Sequence, residues 1–417
     1  MATALPFVSR IVGNHAKEIL ARDRARAQKL LSGKFPHGPS GIRELRAKRG
    51  HHHHPHHPGK NPGGGDTDPG KTPGGDEPTD SGAGVDVTDA GVTYTASVGV
   101  GNPATQYTLL IDTGVSNTWI GADKSYKKTT TSKSTGATVV RAASMFSDFY
   151  LTDTVTLAAD LVIKNQSIGV ANQAQGFNDV DGILGIGPVD LTVGTVSTGQ
   201  PVPTVTDNLF SQGTISSDSI GISYQPTTST GAVNGELNFG GVDTSKITGD
   251  VTYVPITSTS PASQYWGIDQ TISYGDNSSV LDSTAGIVDT GTTLVLIATD
   301  AFQKYQRLTG AKEDQSTGLL TLTERQFENL QSLFFNIGGI SYELTANAQI
   351  WPRSLNSTIG GEEGKIYLVV SDLGSPSGEG LDFINGFTFL QRFYSVYDTG
   401  NTQVGLATTP FTDATTN

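Results

Sequence analysis

From about Val85 onward the chain reads as short β-rich runs separated by turn residues: VTYTASVGVG, QYTLLIDTG, DTVTL, LVIKNQSIGV, GELNFGG and VTYVPI. Two stretches switch to a helical spacing, TDAFQKYQRLTG from Thr299 and TERQFENLQSLFF from Thr323, and the two threonines are placed as N-caps. Ahead of this body the pattern differs twice. His15 to Leu31 places Ile19, Leu20, Ala27, Leu30 and Leu31 on one face of a predicted helix. Residues 50–85 are a His run followed by a Gly/Pro-rich stretch with too little apolar content for a core, and read as a disordered linker.

These patterns predict an all-β protein with a few short helices. The 417 residues suffice for two lobes, each with its own core. The predicted layout is a basic segment over 1–49, the linker over 50–85, one lobe over 86–257 and a second over 258–417. Composition agrees, with 51 glycines and only 16% charged residues.

Charge is divided unevenly. Residues 1–50 carry eleven Lys/Arg against three Asp/Glu, a net of +8, whereas the remainder carries 16 against 37, a net of −21. So acidic a body does not suit phosphate contacts, and no nucleic-acid partner is expected. No run of 18 apolar residues occurs, and no membrane partner is expected. The first segment ends in Lys48-Arg49, a dibasic pair open to a processing protease.

Two absences narrow the chemistry. The chain has no Cys, and all eight His lie before residue 58. A Ser-His-Asp or Cys-His mechanism and a histidine-bound metal are therefore excluded from the body. Hydrolysis there has to run on carboxylates, and neither cofactor nor metal is expected.

The body contains an internal echo. TLLIDTGVSNTWIG (108–121) matches AGIVDTGTTLVLIA (285–298), and each copy is followed by an apolar-Gly element, DGILGIG (181–187) and LDFINGFTFL (381–390). One Asp-Thr-Gly would be an ordinary turn. Two in matching apolar frames predict two similar lobes, each offering one carboxylate. The glycine permits a close backbone approach to the carboxylate. Two carboxylates ~4 Å apart repel by ~4 kcal/mol at a dielectric of ~20, so Asp112 and Asp289 are expected to share a proton in acid.

At these residues, and in runs such as PTVTDNLFSQGTI and ELTANAQIWPR, the chain resembles the pepsin family of aspartic peptidases, its fungal members in particular, over about residues 85–417. The resemblance implies a bilobal pepsin-like acid protease fold with pseudo-twofold lobes and an acid endopeptidase acting on polypeptides in the inter-lobe cleft. It implies that Asp112 and Asp289 hold the attacking water. Gly114 and Gly291 would donate backbone contacts, Thr292 would brace Asp289, and Trp119 would pack beneath the flap. Residues 6–33 resemble a propeptide, so the chain's own basic segment is expected over the acidic cleft until low pH weakens that attraction. A monomer of secreted or vacuolar location is expected, and Asn165-Gln-Ser, Asn277-Ser-Ser and Asn356-Ser-Thr are N-glycosylation sequons in keeping with that route.

Two departures stand out. Val115 occupies the position where the family has Ser, removing a hydroxyl from Asp112. The flap, counted back from TDTVTL, reads RAASM, with Arg141 where the family has Tyr and Ala142 where it has Gly. These two changes also admit a catalytically weakened, peptide-binding or inhibitor-like protein on the same fold.

Overall fold

In the computed structural model the described residues are 16–31, 83–89, 94–138, 145–174, 179–226, 228–229 and 232–417. The expectations for Arg141 and Ala142, for the Lys48-Arg49 pair and for the linker before residue 83 lie outside them.

The architecture is mostly β. A 13-stranded sheet holds most strands between Ala83 and Pro255, a seven-stranded sheet holds most of those between Gly267 and Asn385, and a three-stranded sheet completes the set. Strands Phe393–Asp398 and Gln403–Thr408 cross back to the larger sheet, where they pair with Ser219–Ser223 and Thr252–Pro255. The apolar alternation seen in the sequence fills a common core that includes Val98, Leu109, Ile111, Leu237, Ile268 and Phe335.

The echo in the sequence is an echo in topology. Strand Thr105–Asp112 pairs in parallel with Gly182–Gly185, placing Asp112 beside Gly185. Strand Ser278–Val288 pairs in parallel with Phe383–Asn385, placing Val288 beside Asn385. In each case the apolar-Gly element also pairs antiparallel with the strand after the Asp-Thr-Gly turn, Trp119–Ile120 or Val295–Ile297. Each Asp thus leaves a buried strand at the same place in the same local pattern.

Helix α1, Ala16–Leu31, forms where the spacing predicted it and buries Ile19, Leu20, Ala27 and Leu30. Leu31 is only half-buried. Two buried charges share that apolar face, Asp23 and Arg26. The later helices need one correction. Thr323 caps Glu324–Glu328 through a capping box with Gln326. Thr299 instead lies inside helix Thr299–Thr309, behind Ala298, and its hydroxyl donates to Asp372 Oδ1. The second helix is also shorter than its pattern suggested, because LFF is drawn into strand Leu333–Ile337.

Candidate functional site

Asp112 and Asp289 are brought together where the two sheets meet, each at most 1% exposed. The Gly114 amide donates to Asp112 Oδ1 at 2.8 Å, and the Gly291 amide donates to Asp289 Oδ1 at 3.1 Å. A Cβ on Gly114 would lie 2.8 Å from Asp289 Oδ1, and one on Gly291 would lie 2.7 Å from Asp112 Oδ1. Each glycine therefore serves the opposite carboxylate by being small as well as its own by donating.

The middle residues of the two triplets, which the sequence reading passed over, tie the halves together. The Thr113 amide donates to Thr290 Oγ1 at 3.0 Å, and the Thr290 amide donates to Thr113 Oγ1 at 2.9 Å. Thr290 Oγ1 donates in turn to the Ile111 carbonyl at 3.0 Å. All of these groups are buried, where a lost partner costs about 1–3 kcal/mol, so the crossing fixes the separation of the carboxylates. The signal for this was the symmetry of the triplets.

The two carboxylates are unequal. Thr292 Oγ1 donates to Asp289 Oδ2 at 2.6 Å. Val115, its counterpart after the first triplet, is buried and offers no hydroxyl. Ser116 does not substitute, since its hydroxyl donates to the Pro188 carbonyl at 2.5 Å. Burial pushes the Asp112 carboxyl above its usual range, with the Asp289 charge adding to the rise and Arg26 opposing it. Trp119 lies in a buried cluster with Leu110, Tyr150 and Ile183. The Tyr150 hydroxyl accepts from Asn117 Nδ2 at 3.2 Å within that network.

The residue between the carboxylates comes from α1. Arg26 Nε donates to Asp289 Oδ2 at 2.7 Å, and its Nη2 reaches both Asp289 Oδ1 at 2.9 Å and Asp112 Oδ1 at 2.6 Å. Its Nη1 donates to Asp112 Oδ2 at 3.1 Å. Burial works against the guanidinium charge, but the two carboxylates outweigh it and raise the Arg26 pKa. One turn earlier, the Asp23 carboxylate accepts from the Thr293 amide at 3.1 Å and the Leu294 amide at 2.9 Å. Burial raises Asp23 to about 7. Further anchors are Arg24 Nε on the Asp372 carbonyl and the Tyr265 hydroxyl on the Leu30 carbonyl. The apolar side chains of α1 pack in one cluster with Val115, Leu191, Tyr265, Leu294, Leu319 and Ile359.

The sequence indicated a basic segment over an acidic cleft but singled out neither Arg26 nor Asp23. Both break the apolar stripe of α1, one turn apart, and a charge on an apolar face is the feature that marked them.

A family model described as "Eukaryotic aspartyl protease" matches residues 93–409. The chain is 64% identical to polyporopepsin of Irpex lacteus over 337 residues, covering 80% of this chain and 99% of that protein. It is 30% identical to gastricsin of Homo sapiens over 338 residues, covering 76% and 81%. The crystal structure of the aspartic proteinase from Irpex lacteus matches with a TM-score of 0.78 at 63% identity, covering 80% of this chain and 99% of that one.

Proposed function

The chain belongs to the eukaryotic aspartyl protease family and is an aspartic endopeptidase with a pepsin-like fold and a substrate cleft between its lobes; from that premise we propose that Asp112 and Asp289 are its catalytic pair and that α1 is part of a propeptide that silences them. The observation that carries this is Arg26, whose single guanidinium bridges both carboxylates from a segment that precedes the family match.

With α1 gone, two buried carboxylates face a bound water and share one proton, as aspartic proteases do as a class. The donors support a division of roles. Asp289 has an amide and a hydroxyl to stabilise its charge, whereas Asp112 has only an amide besides Arg26. On this reading Asp289 is the base and Asp112 the acid. The water oxygen bonds to the scissile carbonyl carbon while its proton passes to Asp289. The Asp112 proton moves to the carbonyl oxygen, giving a neutral tetrahedral diol. Collapse breaks the C–N bond as one diol hydroxyl returns its proton to Asp112 and re-forms the carbonyl, and the proton held on Asp289 goes to the leaving amine, which restores the starting pair.

The same contacts support the zymogen reading. Arg26 bonds to both carboxylates at once and takes the place of the water. Acid supplies the proton that the pair lacks, which removes one half of the ion pair and loosens α1. The apolar cluster around α1 supports a preference for apolar side chains in the substrate. A monomer that matures along the secretory pathway completes the reading. Nothing in the site or in the comparisons favours the peptide-binding alternative.

The test is hydrolysis of a denatured protein across acid to neutral pH by acid-treated chain, with and without pepstatin, beside Asp289→Asn. Acid-dependent cleavage abolished by both pepstatin and the substitution is expected. Cleavage that survives the substitution would refute the assignment.

A further inference from the structure

The three sequons are equal in sequence and unequal in structure. Asn277 is exposed, at a φ of 66°, between strands Gly267–Tyr274 and Ser278–Val288. Asn165 is exposed, at a φ of 55°, where the ladder steps from Asp153 opposite Gln166 to Val155 opposite Ile163. Such an irregularity carries a residue out of the regular pleat. Asparagine tolerates these left-handed conformations better than most residues.

Asn356 is 2% exposed and lies in the short helix Arg353–Ile359. Its Nδ2 donates to the Glu362 carbonyl at 2.9 Å and to the Lys365 carbonyl at 2.8 Å. Its own backbone carbonyl accepts from the Gly361 amide at 2.8 Å. The sequon hydroxyl is engaged too, with Thr358 Oγ1 donating to the Leu355 carbonyl at 2.6 Å. The nitrogen that would bear a sugar is therefore the one that ties the segment 356–365 together. A glycosidic bond replaces one of its two hydrogens, and both are used here.

We propose that Asn165 and Asn277 are N-glycosylation sites of this protein, and that Asn356 is a structural residue whose sequon stays unmodified in every folded molecule. Sugar transfer reads a sequon before folding is complete, so all three are presented to the transferase. The fold then selects, because a chain modified at Asn356 loses a hydrogen bond and has no room for the sugar. One proposed glycan stands on a strand of the 13-stranded sheet and the other on the turn joining two strands of the seven-stranded sheet. The inference rests on passage through the secretory pathway, so its test supplies that passage.

The full chain, fused to the host's own leader, is secreted from a eukaryotic host. Protein from the medium is released from its glycans by peptide N-glycosidase in heavy-oxygen water and mapped by peptide mass spectrometry. Labelled Asp at positions 165 and 277 with unmodified Asn356 is expected. Asn165→Gln and Asn277→Gln should each remove one glycan and leave pepstatin-sensitive cleavage unchanged. Asn356→Gln should leave the glycan mass unchanged and lower the melting temperature. A glycan at position 356 in secreted, active protein overturns the inference, as does an unmodified Asn165 or Asn277. Correctly glycosylated protein whose cleavage ignores pepstatin would leave the inference standing and sink the catalytic reading instead.

Discussion

Arg26→Ala removes the one side chain that α1 places between the carboxylates. Four hydrogen bonds of 2.6 to 3.1 Å are lost, all of them buried. A buried ion pair broken from one side costs about 3–5 kcal/mol, because the remaining charge is stranded. Here the stranded charges are the pair itself, which recovers part of that cost by taking up a proton. The lower end, about 3 kcal/mol, is therefore the working figure for the loss of docking, or about a hundredfold in the equilibrium between closed and open cleft. The assay is the initial rate of cleavage of a quenched fluorescent peptide by the uncleaved chain in mildly acid buffer, with mass spectrometry confirming that α1 is still attached. The variant should cut about a hundredfold faster than the parent chain before processing. Its opening should also depend less steeply on pH, since protonating the pair no longer breaks an ion pair. Arg26→Lys keeps the charge without the fork and should fall between the two. An uncleaved Arg26→Ala chain as silent as the parent would refute the idea that this contact closes the site.

Three further outcomes follow from named contacts. Asp23 is raised to about 7 by burial, so its ionisation works against docking as pH rises from the usual carboxylate range toward neutral; Asp23→Asn, which can still accept from the Thr293 and Leu294 amides, should leave hydrogen exchange of α1 at neutral pH as slow as in the parent or slower, whereas Asp23→Ala should speed it. Val115→Ser in the processed enzyme returns a hydroxyl to Asp112, and a hydrogen bond to the charged form is worth about 1.5–3 kcal/mol; the alkaline limb of kcat/KM against pH, which reports loss of the Asp112 proton, should move down by about one to two pH units. Asp218 is raised to about 8, by burial first and then by the charges of Asp207 and Asp398. Its proton stabilises the fold in acid, and that contribution is lost as pH climbs from the usual carboxylate range to about 8; Asp218→Asn should raise the melting temperature near neutral pH and leave it unchanged in acid.

The parts of the fold that repeat were readable in the chain. Asp112 and Asp289 stood in matching apolar frames, and α1 stood out by its period. What could not be read was anything set by the meeting of distant segments. The crossing of Thr113 with Thr290 joins residues 177 positions apart, and no local pattern distinguishes a threonine that bonds across an interface from one in a turn. Arg26 hid among the basic residues of the first segment, where charge suggested a diffuse attraction instead of one fork closing on two acids. Thr299 had the composition of a cap, but the carboxylate of Asp372 claimed its hydroxyl. Asn356 matched a modification motif because the motif does not register that the amide is spoken for.

The return of the last strands has a consequence for the order in which the molecule can be made. Phe393–Asp398 and Gln403–Thr408 sit between Ser219–Ser223 and Thr252–Pro255 in the larger sheet. On a ribosome these emerge after both of the strands they join, so the edge of Ser219–Ser223 stays unpaired until more than 160 further residues have been made. The helix bearing Arg26, by contrast, is made before either carboxylate. The segment proposed to silence the site is thus already present when Asp289 and the closing strands arrive, and on that proposal no stage of translation offers a finished cleft without its plug.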